Sequence, residues 1–501
     1  MKGLVLGAAV TGLLGVLLFS AAFADQDNEK ISQKSRQCLG CHESATPAIV
    51  SDWKNSRMSE TTPNRAMEKP ELARRVSFEN LSEELADSVV GCAECHTLQA
   101  GDHADSFDHA GTRVYTVVTP ENCAVCHPAE RRQYSDNIMS EAHGNLQDNE
   151  VYQQLVTAAA GPLAFDEMKL RQDSPSAETD ADSCLFCHGT RLEVEKTEER
   201  ETSMGPMDFP VIRGWPNQGV GRINPDESKG SCSSCHPRHR FAIETARKPE
   251  TCSQCHKGPD VPAYKVYSVS KHGNIYNSQK NTGEWDFSAV PWTLGKDLEA
   301  PTCATCHVSL LTSEDGQVIS ERTHRMNDRL AWRIFGLPYA HPHPESADTT
   351  KIKNKDGLAL PTALDGTPAA EFLISEETMD ERNRKMQQAC RGCHSGGWVK
   401  GHFSRLEHTI EETNAQTLTA TQILQEAWNS GAASGPFQGG SPFDETIERM
   451  WTENWLFYAN STRFASAMGG ADYGVFAQGR WYLTRNIHEM ADLLELKTDN
   501  K

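Results

Sequence analysis

The sequence lacks several features that would point to a common class of protein. No cysteine is left over for a disulfide, because all 16 belong to one repeated pattern. Beyond the N-terminus, no stretch approaches the run of about 18 apolar residues that a membrane-spanning helix needs. No run of alternating apolar and polar residues predicts a convincing strand. Lys and Arg number 49 against 69 Asp and Glu, so a nucleic-acid partner is not expected.

The repeated cysteine pattern is Cys-x-x-Cys-His, which is the attachment signature for c-type haem. Each thiol adds to one vinyl group of the porphyrin, and the adjacent His becomes the proximal iron ligand. A single Cys-x-x-Cys also fits a zinc half-site or a redox dithiol. Eight copies that all end in His favour eight c-type haems. The sets are Cys38, Cys41 and His42; Cys92, Cys95 and His96; Cys123, Cys126 and His127; Cys184, Cys187 and His188; Cys232, Cys235 and His236; Cys252, Cys255 and His256; Cys303, Cys306 and His307; Cys390, Cys393 and His394.

The N-terminus predicts export. Lys2 precedes an apolar run over residues 4–19, and Ala22-Phe23-Ala24 matches a signal-peptidase site. These features predict a signal peptide over residues 1–24, cleaved after Ala24. Haem attachment to such motifs takes place outside the cytoplasm, so we expect a soluble periplasmic protein.

Two compositional features concern the surface and the core. The net charge of −20 suits docking of a basic redox partner, such as a small cytochrome, although solubility alone explains it equally well. Hydrophobic residues make up only 38% of the chain. We therefore expect the porphyrins to supply much of the core.

The expected fold is mainly α, in two parts. Residues 25–370 form a loop-rich multihaem cytochrome c region with seven motifs, in which short helices such as 128–137 follow the motifs. Residues 371–501 carry the eighth motif and a long-helix C-terminal region. Helical periodicity predicts helices at 375–389, 406–429, 443–467 and 479–496, with a Gly/Ser-rich break at 430–441. Such helices could mediate oligomerisation or form a monomeric cap.

The number of histidines does not show which irons have a sixth ligand. Eight of the 19 His are proximal ligands. An electron-transfer haem takes a sixth ligand, His or Met, whereas a haem that binds substrate keeps that position open. Eleven His remain, enough to fill every iron, so the count alone reveals no open site. They are His103, His109, His143, His239, His272, His324, His341, His343, His402, His408 and His488.

The residues around the fifth to seventh motifs carry a family resemblance. They include Pro237-Arg238-His239 after the fifth motif, Lys257-Gly258-Pro259-Asp260 after the sixth, Ser270-Lys271-His272-Gly273, Thr323-His324-Arg325 and Trp332. With all eight motifs in order, the chain resembles the octahaem hydroxylamine oxidoreductase family over nearly its whole mature length. The resemblance implies a catalytic haem at the fourth motif, with His188 as its proximal ligand and an open distal side. It implies His239, His272 and His324 as sixth ligands, and less firmly His109 and His143; a surface His is the alternative for each.

The chain departs from the family at three places. The family's Asp-His pair after the sixth motif is here Asp260-Val261, so a pocket His is missing unless His341 or His343 replaces it. Met58, five residues after Trp53, stands where the family has a ligating His, and either ligates haem or lies at the surface. Met468 is a weaker candidate of the same kind.

Tyr473 bears on whether the chain resembles the oxidising or the reductive members of the family. In the oxidising enzymes, a Tyr from a neighbouring subunit bonds to the catalytic porphyrin, whereas reductive relatives lack this link. The segment Gly469-Gly470-Ala471-Asp472-Tyr473 can be matched to that Tyr, but an alignment on the preceding helix moves Tyr473 out of register.

The resemblance therefore implies an oxidoreductase of small nitrogen compounds, with Asp260, Tyr473 and His188 at its catalytic site. It would oxidise hydroxylamine or, as a reductive variant, reduce nitrite or hydroxylamine. We expect a homotrimer that exchanges electrons with a small cytochrome or a quinone-linked membrane partner. The alternative is an electron-transfer or electron-storage protein in which all eight irons are six-coordinate.

Overall fold

The computed structural model describes residues 30–469 and 473–499, within which the chain divides into two compact units. The N-terminal unit comprises residues up to Ala129 together with Val194–Val211 and Pro237–Ala242. The C-terminal unit comprises Glu130–Glu193, Ile212–His236 and the chain from Ile243 onward. The predicted signal peptide lies outside the described residues. The last five motifs group with the C-terminal helices in one unit, and the division of the chain near residue 371 stays a prediction.

The N-terminal unit consists of short helices around the first three motifs. The side chain of Ser32 caps its first helix by accepting from the Ser35 amide. Leu39, Val50 and Trp53 form a small buried cluster with Val89. The helices are Gln33–Ala45, Pro47–Lys54, Arg57–Glu60, Pro63–Met67, Glu83–Asp87, Cys92–His96 and Pro120–Ala124, with 3₁₀ turns at Glu71–Ala73 and Ala100–Asp102.

Two hairpins contribute to this unit. Ser106–His109 pairs antiparallel with Thr112–Tyr115. Glu193–Thr202 and Gly205–Arg213 form the second hairpin, whose first strand is exposed along nearly its whole length. The expectation of no convincing strands was wrong here. A strand exposed on both faces does not show the alternation of apolar and polar residues that marks a half-buried strand.

The C-terminal unit contains the last five motifs and the long helices. The helix Pro128–Ser135 crosses the boundary between the units in sequence. The helices of the haem-motif segment are Ala142–Gln147, Glu150–Ala160, Ala177–Asp182, Cys184–His188, Ile243–Arg247, Pro249–Cys252, Ala263–Val269, Lys271–Gln279 and Cys303–His307, with a 3₁₀ turn at Cys232–Ser234. The strands are Leu163–Asp166, Lys169–Gln172, Trp292–Thr293, Leu311–Thr312, Val318–Ser320, Trp332–Arg333 and His341–Pro342.

Long helices follow at the C-terminus of this unit. Ser375 and Ser395 cap the first two through their side chains. The second runs for 34 residues and begins ten residues before the predicted start at 406. The segments are Glu376–Arg391, Gly396–Asn429, Thr446–Glu453, Asn460–Gly469, Tyr473–Val475 and Trp481–Asp499, with 3₁₀ turns at Ala370–Phe372 and Pro436–Gln438 and π-helical turns at Asn454–Ala459 and Phe476–Arg480.

A tryptophan-rich core holds these helices together. Trp428, Trp451 and Trp455 pack with Leu424 and Ile447 in the largest buried cluster. Burying aromatic side chains of this size supplies much of the stability of a helical region. Among the described helices, none combines the length and the apolar character needed to cross a membrane.

Candidate haem sites and active site

The motifs fold locally as single helical turns. Cys92–His96, Cys184–His188 and Cys303–His307 are each a five-residue helix. In the third, fifth, sixth and eighth motifs, the His amide donates to the carbonyl of the first Cys at 2.9–3.0 Å. Residues i, i+3 and i+4 share one face of a helical turn, so both thiols and the imidazole point the same way. This is the arrangement that a covalently attached, His-ligated haem requires.

Backbone carbonyls orient three important imidazoles. His96 Nδ1 donates to Tyr115 O at 2.8 Å, and His188 Nδ1 donates to Ala142 O at 2.9 Å. His143 Nδ1 donates to Gly189 O at 2.6 Å. A carbonyl only accepts, so Nδ1 carries the hydrogen and the Nε2 lone pair is left for a metal.

Burial favours the neutral form of four proximal rings. It is the main cause that lowers the pKa of His96, His188 and His256. It also lowers the pKa of His307 to about 4. A neutral imidazole is the form that binds a metal, so these rings are ready for ligation near pH 7.

Four proximal His face a second His ring. In every case the second ring belongs to a residue predicted as a sixth ligand. The ring-centre distances are 6.1 Å for His42 and His109, 6.5 Å for His96 and His239, 6.4 Å for His236 and His324, and 6.0 Å for His394 and His272.

These distances fit an iron held between two rings. Two metal–nitrogen bonds of about 2 Å each, together with the spans from ring nitrogens to ring centres, come to about 6 Å. The distances in the four pairs leave room for an iron between the rings, and sixth-ligand roles for these His stay a prediction. We call these four places the His-faced sites.

The remaining predicted ligands are placed differently. His143 lies against the fourth motif through its bond to Gly189 O, and within the described residues no other His ring faces it. Met58 is half-buried, and its carbonyl accepts from the Val90 amide at 3.1 Å, just before the second motif. Met468 packs beside the apolar clusters that contain Tyr267 and Val266.

Two other His rings pack against aromatic side chains. His103 stacks on Tyr115 with ring centres 3.5 Å apart. Trp398 stacks on His394 at 3.9 Å and on His402 at 5.3 Å. His103 also contacts the Asn122 amide through Nε2 at 3.1 Å.

Four of the last five motifs lie close to one another. The pKa of the Cys187 thiol is raised first by a hydrogen bond with Cys255 and then by burial. The pKa of Cys252 is raised first by a hydrogen bond with Cys303. Burial, followed by nearby Cys390, raises the pKa of Cys306 to about 12. These neighbours form a continuous series from the fourth motif through the sixth and seventh to the eighth.

The fourth motif has a distinctive charged environment. Asp260 raises and Arg333 lowers the pKa of His188, so both lie within electrostatic reach of that ring. Asp260 is exposed, and its backbone carbonyl accepts from the Asn460 side chain at 3.3 Å. Among the described residues, no His ring faces His188 at the distance seen in the His-faced sites.

The two His of His-Pro-His-Pro are buried. His341 is 1% exposed, and its Nδ1 donates to Pro342 O at 2.7 Å while its Nε2 has no hydrogen-bond partner. His343 is also buried. Burial, Arg333 and Arg463, in that order of effect, lower the pKa of His341 to about 3. These rings are therefore not exposed loop residues.

Tyr473 begins the short helix Tyr473–Val475. Its side chain, and Gly470, Ala471 and Asp472 before it, lie outside the described residues. The cross-link therefore stays a prediction.

Sequence reasoning did not find Arg333, Asn460 or Arg463. Asn460 and Arg463 are one turn apart on the helix Asn460–Gly469, and both are fully buried. The sequence did contain a signal for these two residues. They are polar and lie one helical turn apart, in a segment between tryptophan-rich helices.

Comparisons with known proteins agree with this geometry. Residues 217–333 match the family model described as seven times multi-haem cytochrome CxxCH. A solved structure described as a hypothetical multiheme protein is 40% identical, with a TM-score of 0.86, over 93% of this chain and 96% of that one.

Two relatives come from Kuenenia stuttgartiensis. A probable nitrite reductase-hydroxylamine oxidoreductase fusion protein is 25% identical over 434 residues, which is 83% of this chain. The chain spans only 40% of that relative's length. A reducing HAO-like protein complex shares the fold, with a TM-score of 0.59 at 18% identity over 93% of this chain and 86% of that one.

Proposed function

Because the chain belongs to the hydroxylamine oxidoreductase family of multihaem cytochromes, we propose that it converts a small nitrogen compound at a haem held by the fourth motif. The other seven motifs would hold haems that carry electrons to or from that site. The observation that carries the proposal is the charged environment of His188, with Asp260 and Arg333 in reach, set against the four His-faced sites.

The surroundings of the fourth motif support chemistry as well as conduction. Redox conversion of a nitrogen oxide or of hydroxylamine moves several protons with the electrons. A haem that only carries electrons needs two axial ligands and no proton donor. The two imidazoles of each His-faced site would be those ligands. The fourth motif instead has an exposed carboxylate, an amide and a guanidinium grouped around it.

Each group has a role that follows from its position. His188 would bind iron through Nε2, since Nδ1 is committed to Ala142 O. Haem iron, when bound there, supplies a redox-active centre that takes a nitrogen ligand. The Asp260 carboxylate would exchange protons between solvent and substrate, because it is exposed on one side and near the motif on the other. Asn460 would hold the Asp260 backbone in place.

The contacts between motifs support an internal electron path. The fourth, sixth, seventh and eighth motifs are neighbours in series through their thiols. Close motifs hold close porphyrins. Electrons would thus pass between the fourth motif and the eighth without leaving the C-terminal unit.

The setting of the protein is part of the proposal. We infer a periplasmic homotrimer with eight c-type haems that exchanges electrons with a small cytochrome or a quinone-linked membrane partner. The net charge of −20 supports a basic docking partner. Mass spectrometry of the mature chain would give the haem number and the cleavage site.

Turnover assays test the function. The oxidised protein is mixed with hydroxylamine and an electron acceptor, and the reduced protein with nitrite or hydroxylamine and a low-potential donor. The proposal predicts nitrogenous product in one direction at least. Reduction and reoxidation of the haems without any conversion of substrate would show a pure electron-transfer protein instead.

The Tyr473→Phe variant tests the direction. In an oxidising enzyme with the cross-link, the wild type runs as a covalent oligomer on a denaturing gel and the variant runs as a monomer. A reductive enzyme gives monomers for both. If the wild type is cross-linked and the variant stays so, Tyr473 is not the linking residue.

A further inference from the structure

Arg463 is a buried cation that contacts no carboxylate among residues 30–469 and 473–499. Its side chain is fully buried on the helix Asn460–Gly469. Nη1 donates to Asn414 Oδ1 and Nη2 to Asn460 Oδ1, both at 2.9 Å. These acceptors are neutral amides, and in the described part of the chain Nε is buried with no partner.

The electrostatics agree with this contact pattern. Burial alone lowers the pKa of Arg463 to about 9, with no carboxylate offsetting it. A Cβ at Gly336 would lie 2.7 Å from Arg463 Nη2 and 2.6 Å from the Tyr339 carbonyl carbon, so glycine allows both the guanidinium and the backbone to pack closely there.

Arg333 and His341 form the adjoining part of the cluster. They are direct partners in the antiparallel pair Trp332–Arg333 and His341–Pro342, so their side chains lie on the same face. Arg333 Nε and His341 Nε2 are both buried and without hydrogen-bond partners in the structure described here. Both arginines lie within electrostatic reach of His341.

Three neighbouring groups thus present unsatisfied nitrogen atoms, and two of them carry a positive charge. Buried polar groups are normally hydrogen-bonded, and buried charges are normally paired. An anion with two oxygens would satisfy both guanidinium groups, which favour planar carboxylate-like acceptors. His341 Nε2 is an acceptor, since Nδ1 holds the ring's own hydrogen, so it takes a hydrogen only from a protonated ligand and the two guanidinium groups hold the anion itself.

We propose that Arg333 and Arg463 form a binding site for one carboxylate or small oxyanion, lined also by His341 and next to the Asp260 backbone. The strand pair that holds Arg333 opposite His341 supplies one side of the site, and the helix Asn460–Gly469 supplies Arg463. Asn460 joins the site to Asp260, because its side chain contacts both Arg463 and the Asp260 carbonyl.

The anion has two sources with the same chemistry. One is a carboxylate group of a haem bound at a neighbouring motif. The other is free nitrite, and that assignment rests on the proposed function, whereas the anion site itself does not. Loss of a nitrite site changes the affinity for nitrite, whereas loss of a contact to a haem carboxylate changes the potential of that haem. One set of variants therefore separates the two sources.

The experiment uses the haem-loaded full chain with Arg463→Gln, Arg333→Gln and the control Arg247→Gln. Arg247 is also a buried arginine, but Nη1 donates to the carbonyls of Phe287 and Ala289 at 2.9 and 2.6 Å, and the guanidinium lies 4.4 Å from the Trp292 ring centre. Nitrite affinity is measured by optical titration of the oxidised protein. Haem potentials are measured by spectroelectrochemistry.

If nitrite occupies the site, both cluster variants bind it at least about tenfold more weakly and Arg247→Gln does not. If a haem carboxylate occupies it, nitrite affinity holds and one haem titrates at lower potential in both variants, because the carboxylate loses its cation. Nitrite affinity and all potentials matching the wild type, or an equal change in Arg247→Gln, would overturn the proposal.

Two additions keep the test decisive. If Arg463→Gln does not fold, Arg333→Gln still provides the same measurement, because Arg333 is only half-buried and its replacement disturbs the core less. Cyanide binding is followed in the same samples. Its absence from the wild type would contradict the proposed function and leave the anion site to be judged by the potentials.

Discussion

The His-faced sites and the fourth-motif site are built on the same helical turn of Cys-x-x-Cys-His but differ in what surrounds the proximal ring. In a His-faced site, such as His236 with His324, a second imidazole lies 6.4 Å away. At the fourth motif, Asp260, Arg333 and His143 all lie within electrostatic reach of His188, and no His ring among the described residues faces it at the distance of the His-faced sites. If the proposed function is right, the side chains around the proximal ring, and not the attachment motif, distinguish a site for chemistry from a site for conduction.

The two kinds of site also draw on different parts of the fold. Residues that face the proximal His in the His-faced sites come from loops, strands and short helices, as with His109 and His272. The fourth-motif site takes Asn460 and Arg463 from the C-terminal helices. Its geometry therefore depends on the stability of the helical core.

The largest effect is expected from Asp260→Asn. Removing a group that exchanges protons with substrate should lower turnover by about 10²–10⁴-fold. Cyanide affinity should stay near the wild-type value, because the iron and His188 are untouched. The measurements are kcat and an optical cyanide titration. The control is Asp182→Asn, an exposed carboxylate two residues before Cys184; equal loss of turnover in both variants would remove Asp260 from the site.

His324→Ala tests the His-faced sites. Loss of the ring that faces His236 should leave that iron five-coordinate, so the variant gains one high-spin haem by electron paramagnetic resonance. His408→Ala is the control, since that ring is exposed and pairs with Glu412 at 3.2 Å. An unchanged low-spin signal in His324→Ala would break the assignment of this pair.

Glu448→Gln is expected to have the smallest effect, and it tests the dependence on the helical core. Glu448 is fully buried beside Trp428, and burial is the main cause that raises its pKa to about 7. The unfolded value is about 4.3, so the folded chain binds more protons between these values and stability falls as pH rises from about 4 to 7.

Replacing Glu448 by glutamine should remove this fall in stability with rising pH, because the amide side chain does not titrate. At pH 8 the variant should gain up to about 4 kcal/mol in unfolding free energy, and at pH 4 little. Chemical denaturation at both pH values measures it, with exposed Glu411→Gln as control. A gain that is equal at both pH values would show that Glu448 is not the titrating group.

Some of the molecule could be predicted because it is local. The motif turns depend only on five consecutive residues, and the helices near 375–389 and 479–496 follow from periodicity and a capping Ser375. The fold class therefore agrees with a helix-rich, loop-rich multihaem protein. The hairpin Glu193–Thr202 with Gly205–Arg213 was missed because its exposed strand has no apolar face to read.

The site could be predicted only in part. The family resemblance singled out His109, His239, His272 and His324, but not which proximal ring each would face, since that depends on long-range folding. Arg463 could not be found at all. Its importance comes from burial without a carboxylate, which is a property of the packed structure and not of the neighbouring sequence.

Electron paramagnetic resonance of the fully oxidised wild type, combined with resonance Raman and a cyanide titration, tests the central claim most directly. The account predicts a high-spin haem that converts to low spin when cyanide binds, and that persists in His408→Ala. It also predicts that this signal is separate from the one created by His324→Ala. A spectrum in which every haem is low-spin and inert to cyanide would contradict the account and identify a pure electron carrier.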